Sequence, residues 1–391
     1  MTVSTIQLGK VVDVSAGQPA PKPKDFSEDG LPFIRAGSLE GLLSGQTEDD
    51  CEKITSETAR RYRMRLYPKD TILFAKSGMS AKIGRVYRMR KPAYVVSHLA
   101  ALAPVGRYEP SYLAHWLRAH PPSTLIKDDA YPSIRTSEVS SLEVPDLPID
   151  EQCRIAAILD KADAIRRKRE GALSLADDFL KSAFLKMFGR PNDPNPGLKV
   201  LPLGKLCDLF AGNSLPTGVA YLGQDDGLLL LKVGDLNLPG NDQVVMTARE
   251  WVAGKGRTGA AIVAPKDAIV FPKRGGAIAT NKKRVLGRSS ILDPNLMAVA
   301  PKQGAPISYP YLRIWFELLD LASIANGSTV PQLNKGDLYP LEMAIPEDLD
   351  LTRFDRLFHG SKKLREKQFD ELIYSETLFS ALSQRAFRGE L

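Results

Sequence analysis

Two stretches of the chain carry cations and no acids. Residues 71–108 contain no Asp or Glu, yet they hold Lys76, Lys82, Arg85, Arg88, Arg90 and Lys91. Residues 268–292 are also free of acid and hold Lys273, Arg274, Lys282, Lys283, Arg284 and Arg288. Such side chains neutralise phosphates, and arginine can grip the major-groove edge of guanine with two hydrogen bonds. Polar residues able to read base edges lie nearby: Ser77 and Ser80 in the first stretch, Thr280 and Asn281 in the second. A further polar loop carries Tyr131, Ser133 and Arg135. Another carries Asn326, Ser328, Thr329, Gln332, Asn334 and Lys335. A single charge run reads as a solvated face. Two runs at matched positions point to a polyanion contact in each.

Chemistry of other kinds finds little support. A nuclease core wants an acid two places before a lysine, where both can meet a metal ion and a water. No Asp-x-Lys or Glu-x-Lys occurs. There is no Gly-x-x-x-x-Gly-Lys phosphate loop, and Gly254-Lys255-Gly256 is too short to be one. Asn-Pro-Pro or Asp-Pro-Pro before an aromatic, the element that holds a flipped adenine in amino-methyltransferases, is also missing. Asp193-Pro194-Asn195-Pro196 reads as a linker. The histidines His98, His115, His120 and His359 lack metal-ligand spacing. The expectation is a chain with no catalytic residue, no metal and no cofactor of its own.

The matched positions belong to a wider repeat. Leu8-Gly9-Lys10 returns as Leu203-Gly204-Lys205, Pro68-Lys69-Asp70 as Pro265-Lys266-Asp267, and Trp116 as Trp315. The spacing drifts from 195 to 199 residues, as small loop insertions would make it. That period is too long for a solenoid and implies two domains of one fold. Short apolar runs at 10–14, 32–34, 71–74, 82–87, 94–96 and 100–102 predict strands, with Gly and Pro clusters between them. A short helix is expected over 112–120. Each domain is thus a mixed α+β globule, the first over 1–150 and the second over 201–346.

Between and after the globules the pattern changes. Residues 151–187 hold no Pro and one Gly. Ile155 and Ala162, Ile158 and Ile165, and Leu159, with Phe179 further on, fall on stripes spaced by sevens. One long amphipathic helix over 151–190 follows, with a linker over 191–200. Phe354, Leu357, Leu364, Leu372 and Leu378 continue those stripes in a second helix over 347–391. Soluble proteins cover such seams, so the two helices are expected to pair as an antiparallel coiled coil. The globules would then be related by a pseudo-two-fold axis. Two unlike globules would read an asymmetric, split DNA target.

Bulk properties agree with a DNA-binding protein. The chain has 391 residues, a net charge of +7 and 43% hydrophobic residues. No apolar run approaches the ~20 residues a membrane span needs. Cys51, Cys153 and Cys207 are scattered, and no export signal is evident. These features fit a cytoplasmic location.

The sequence Leu147-Pro148-Ile149-Asp150-Glu151-Gln152-Cys153-Arg154-Ile155-Ala156-Ala157-Ile158-Leu159-Asp160 resembles the start of the first conserved helix in specificity (S) subunits of Type I restriction-modification systems. The closing Arg385-Ala386-Phe387-Arg388-Gly389-Glu390-Leu391 is similar to their usual end. Val330-Pro331-Gln332-Leu333-Asn334-Lys335-Gly336-Asp337-Leu338 is similar to the end of their target recognition domains. Ile72-Leu73-Phe74-Ala75-Lys76-Ser77-Gly78 and Ile269-Val270-Phe271-Pro272-Lys273-Arg274-Gly275 look like the turn in the middle of those domains. The second junction, Ile345-Pro346-Glu347-Asp348-Leu349-Asp350, departs from the pattern by lacking the Glu-Gln pair. The resemblance implies that this chain finds the DNA sequence. Two modification (M) subunits would bring S-adenosylmethionine, and restriction (R) subunits ATP and Mg. Recognition for another restriction-modification type, or a DNA-independent interaction scaffold, are the alternatives.

Overall fold

The computed structural model describes residues 4–106, 108–253, 262–327 and 330–391. Ser328, Thr329 and Gly254-Lys255-Gly256 lie outside the described residues. The chain forms two compact units, Met1–Glu170 with Asp370–Leu391, and Gly171–Phe369. Both mix helix and sheet, as an α+β chain does.

The first unit is built on an antiparallel sheet in the order Val12–Ala16, Leu99–Pro104, Ile72–Ala75, Val86–Arg88. Its central strands are short and almost wholly apolar, and they are buried on both faces. A smaller sheet sets Leu31–Ile34 antiparallel to Lys53–Ile54 and parallel to Tyr94–Val95. Helix α1 (Pro110–Ala119) lies beside them. It starts at a proline, whose missing N–H would go unpaired there anyway. The Glu109 carboxylate accepts the Tyr112 N–H at 2.6 Å and caps it.

The second unit repeats this plan. Cys207–Ala211, Leu296–Pro301, Ile269–Pro272 and Arg284–Leu286 follow the same strand order, and Val244–Val245 adds an edge. Again a strand, Leu228–Leu231, pairs parallel with Ser290–Leu292 in a second sheet. Even unusual backbone conformations recur 197 residues apart. Asp70 and Asp267 sit at φ +68° and +67°, Gly84 and Asn281 at +68° and +50°. Gly84 explains one difference from expectation. The strand predicted over 82–87 is instead a turn of helix, Met79–Ile83, stopped by Gly84, and a short strand, Val86–Arg88.

Two 40-residue helices, α2 (Ile149–Phe188) and α4 (Asp348–Phe387), each contribute to both units. In the first unit, Ile155, Ala156 and Leu159 of α2 and Ala386 of α4 enter the core. The Phe387 ring meets the edge of Tyr112. Arg154 donates to the Leu391 carbonyl at 2.7 Å, and Arg169 to the Glu371 carbonyl and Ser375 hydroxyl. In the second unit, Phe184 and Phe188 pack edge-on against Phe354 and meet Tyr311 of α3 (Tyr309–Leu318). Of the residues expected between the helices, Ile155, Leu159 and Phe354 are buried, while Ile158, Ala162 and Leu372 are half-buried. Ile165, Phe179, Leu357, Leu364 and Leu378 are exposed. The inner positions go partly to polar groups instead, with Asp163, Ser375 and Ser383 buried.

Polar side chains tie each short helix to the start of a long one. Gln152 is buried, accepts the Glu109 N–H at 2.9 Å and donates to the Leu147 carbonyl at 2.8 Å. Asp160 accepts from Ser111 at 2.6 Å and from His115 Nε2 at 2.8 Å. In the second unit Ser308 donates to Asp355 at 2.5 Å. Burial pushes the Asp160 carboxyl up, but the hydrogen bonds from His115 and Ser111 outweigh it and hold it at about 2. A carboxyl held below its usual value stabilises the fold wherever it is ionised. That stabilisation is complete above pH ~4 and is lost as pH falls through ~2. Denaturant titrations between pH 5 and 2 should show wild type losing stability on acidification. Asp160→Asn should be weaker at pH 5 and show a shallower loss.

Candidate nucleic-acid interface

Three segments meet at one tip of each unit, and the backbone holds them together. In the first unit the Lys76 N–H donates to the His98 carbonyl (2.9 Å), Gly78 to Pro132 (3.0 Å) and Ile134 to Lys76 (2.8 Å). In the second, Lys273 donates to Asn295, Gly275 to Pro331 and Leu333 to Lys273, each at 2.8 Å. Buried backbone groups need such partners. The turns bend at glycine, with Gly78 at φ +73°, ψ −175° and Gly275 at φ +74°, ψ −169°. Ile134 and Leu333 are buried and anchor the third segment. The side chains displayed on this frame are free to differ.

In the first unit the frame gathers Lys76, Ser77, Ser133 and Arg135. Among the described residues, neither the Lys76 nor the Arg135 side chain forms an ion pair within 4 Å, although the Arg135 backbone N–H donates to the Glu138 carboxylate at 3.2 Å and its charge helps to hold that carboxyl low. Ser77 Oγ lies 2.8 Å from His98 Nδ1. Other expected contacts are occupied internally. Lys82 pairs with Asp129 (2.8 Å) and Arg85 with Glu40 (3.1 Å). Arg88 sits between Asp70 and Glu109, and it lines a cleft of about 230 Å³ with Arg118, Asp160 and Asp163. Ser80 is half-buried on the short helix.

In the second unit the frame gathers Lys273, Arg274, Gln332, Asn334 and Lys335. No carboxylate pairs with these three cations among the described residues. Partial burial lowers the Lys273 ammonium, and repulsion from Arg274 and Lys335 adds to it against the pull of Asp293. Gln332 donates to Asn334 Oδ1 at 2.9 Å. Asn326 exchanges backbone hydrogen bonds with Gln332 and closes the loop. Thr280, Asn281, Lys282, Lys283 and Arg284 instead line a cleft of about 320 Å³ beside Asp177 and Arg313. There they also bond within the unit. Asn281 accepts the Leu321 N–H, Thr280 donates to the Ala277 carbonyl, and Lys282 reaches Asn237. Arg284 donates to the Lys283 carbonyl. Lys283 donates to Asn281 and the Leu319 carbonyl, and burial brings it down to about 8.

His98 and Asn295 are the residues that sequence reading missed. They occupy equivalent places, 197 residues apart, just before the matched Leu99 and Leu296. The repeat spacing could have found them; His98 lies inside the acid-free stretch 71–108 but carries no fixed charge, and Asn295 lies just beyond 268–292.

Comparison with known proteins places this geometry in context. Residues 2–173 match the sequence profile described as Type I restriction modification DNA specificity domain. Over 142 residues the chain is 28% identical to the Type I restriction enzyme MjaIX specificity subunit of Methanocaldococcus jannaschii. That stretch is 36% of this chain and spans about a third, 31%, of the relative. The fold is similar to the S subunit of a Type-I restriction-modification system from M. genitalium, with TM-score 0.54 and 12% identity over 99% of this chain and 96% of that one. It is also similar to a chain from a structure on complex assembly and conformational transition of the type I R-M system, with TM-score 0.53 and 17% identity over 99% and 98%. The resemblance read from the sequence is therefore upheld.

The glycine turns give a direct test of the frame. Gly78 and Gly275 have open space around the missing Cβ, so a side chain there meets a conformational penalty and no clash. Gly78→Ala and Gly275→Ala should each lose about 1–3 kcal/mol in urea unfolding.

Proposed function

We propose that this chain, whose residues 2–173 match the Type I restriction modification DNA specificity domain, is the DNA-reading specificity subunit of a Type I restriction-modification system. The observation that carries the reading is the repeated tip. One backbone frame appears in both units, and each displays cationic side chains that form no ion pair among the described residues, beside small polar groups. Phosphates would take the cations, while Ser77, Ser133, Gln332 and Asn334 are placed to meet base edges. Different side chains on one frame favour a split, asymmetric target with one half-site per unit.

The remaining parts of the proposal follow from this one. Domains over 1–150 and 201–346 serve as target recognition domains. The helix over 151–190, joined to the second domain by 191–200, and the helix over 347–391 pair as an antiparallel coiled coil with a pseudo-two-fold axis. This pair spaces the half-sites and docks two modification subunits. S-adenosylmethionine, ATP and Mg belong to the modification and restriction subunits, and the chain itself is not catalytic. Among the described residues, no helix is long and apolar enough to cross a membrane.

Binding to random duplex in a gel shift should weaken steeply with salt. A DNA-independent scaffold would give no shift. Lys273→Ala with Arg274→Ala should reduce the salt slope by about two phosphate contacts. The adenine methylation it supports should relax in one half-site only. Equal damage to both half-sites would refute independent readers. Removing one heptad from the first long helix should change the tolerated gap between half-sites or abolish assembly. An unchanged gap would argue against a spacer.

A further inference from the structure

The tip of the first unit carries apolar side chains that its fold does not use. Met79 is 69% exposed, Ile83 57% and Tyr131 81%. Met79 directly follows Gly78, and Tyr131 directly precedes Pro132, the two residues joined by a backbone hydrogen bond. Ser77 and Ser133 form the neighbouring bridge in the antiparallel sense. Met79 and Tyr131 therefore stand at adjoining positions of two tied segments. Ile83, four residues after Met79, shares a face with it on the short helix Met79–Ile83. Asp128 accepts the Ala130 N–H at 2.8 Å and braces the Tyr131 loop, while Asp129 is taken by Lys82.

The second unit shows that packing does not require this bulk. Its equivalent positions hold Gly276, Thr280 and Val330 on the same frame. Single exposed apolar residues are ordinary. Three on one tip, beside the Ser77–His98 pair and the Lys76 and Arg135 side chains, neither of them in an ion pair among the described residues, are not scattered. An apolar centre among cations matches a partner with apolar faces inside a polyanionic shell. Duplex DNA has that composition, and methionine, isoleucine and aromatic side chains can enter between its base steps.

Building on the reading that this chain binds DNA, we propose that Met79 and Tyr131 form a wedge that stacks on a base step in the half-site read by the first unit. The second unit has no such wedge and binds through Lys273, Arg274 and Lys335. The two half-sites are then read by different physics. One depends on how readily a base step opens, and the other on phosphate charge and base-edge hydrogen bonds.

The test begins with the full-length chain and duplexes selected from a randomised pool. 2-Aminopurine is then placed at each purine of a selected duplex in turn. Wild type should raise its fluorescence at one step in one half-site only. Met79→Gly with Tyr131→Val, which installs the second unit's residues, should abolish that signal and weaken binding about tenfold, as loss of a base–aromatic stack does. Tyr131→Phe should keep both. If the double variant binds the selected duplex as tightly as wild type, with no fluorescence change in either, the wedge is overturned while DNA reading stands. The exposed patch would then face a protein. If wild type selects no duplex, both the wedge and the reading it rests on fall.

Discussion

A surface made of loops can hold a fixed shape only if its own peptide groups are satisfied. In each unit three connecting segments solve this together. Lys76 and Lys273 each donate to one neighbouring segment and accept from another through their main chains. The glycine turns place the next N–H against the third segment. Nothing in this arrangement depends on the side chains at Ser77, His98 or Ser133, or at Arg274, Asn295 or Gln332. The frame can stay constant while the displayed chemistry changes. Two units of one fold thereby come to present such different faces.

Side-chain hydrogen bonds do the corresponding work at the base of each globule. Gln152, Asp160 and Asp355 are hydrogen-bonded to the short helices or their caps. Asp160 takes a hydroxyl and an imidazole on the same oxygen, Oδ1, while the side chain stays about half exposed, so its charge is kept without a buried, unpaired oxygen. Around it Arg118, Arg166 and Arg167 share Asp163. The apolar contribution lies beside these groups, with Tyr112 and Phe387 in the first unit and Tyr311, Phe184 and Phe354 in the second. Both units use apolar packing for cohesion and a few polar ties for position.

Much of this plan is visible in the residues themselves. The repeat spacing identified equivalent positions that the backbone honours, down to the left-handed Asp70 and Asp267. The absence of Pro and the sevenfold stripes located two long helices. What the pattern could not supply was which charges are already spent. Lys82, Arg85 and Arg88 lie in an acid-free stretch, yet Asp129, Glu40, Asp70 and Glu109 reach them from elsewhere in the chain. Asp70 and Glu109 flank the stretch at its two ends, and local composition carries no record of the more distant Glu40 and Asp129. Likewise, a sevenfold stripe marks a helix face but not its neighbour. Ile165 and Leu378 fit the stripe and still face solvent, while Ser375 lies inside. In sequence His98 is weighed only as a metal ligand, because its place beside Ser77 is set by the sheet turn and not by its sequence neighbours.

Arg169 has a consequence for how the helix pair can vary. Its guanidinium is held by a carbonyl and a hydroxyl of the opposite helix, at Glu371 and Ser375. Sliding one helix past the other by a single turn would carry those acceptors about 5.4 Å away. The half-buried cation would then lose both acceptors. An all-apolar contact would tolerate slippage, whereas these two hydrogen bonds act as a key that favours one seating.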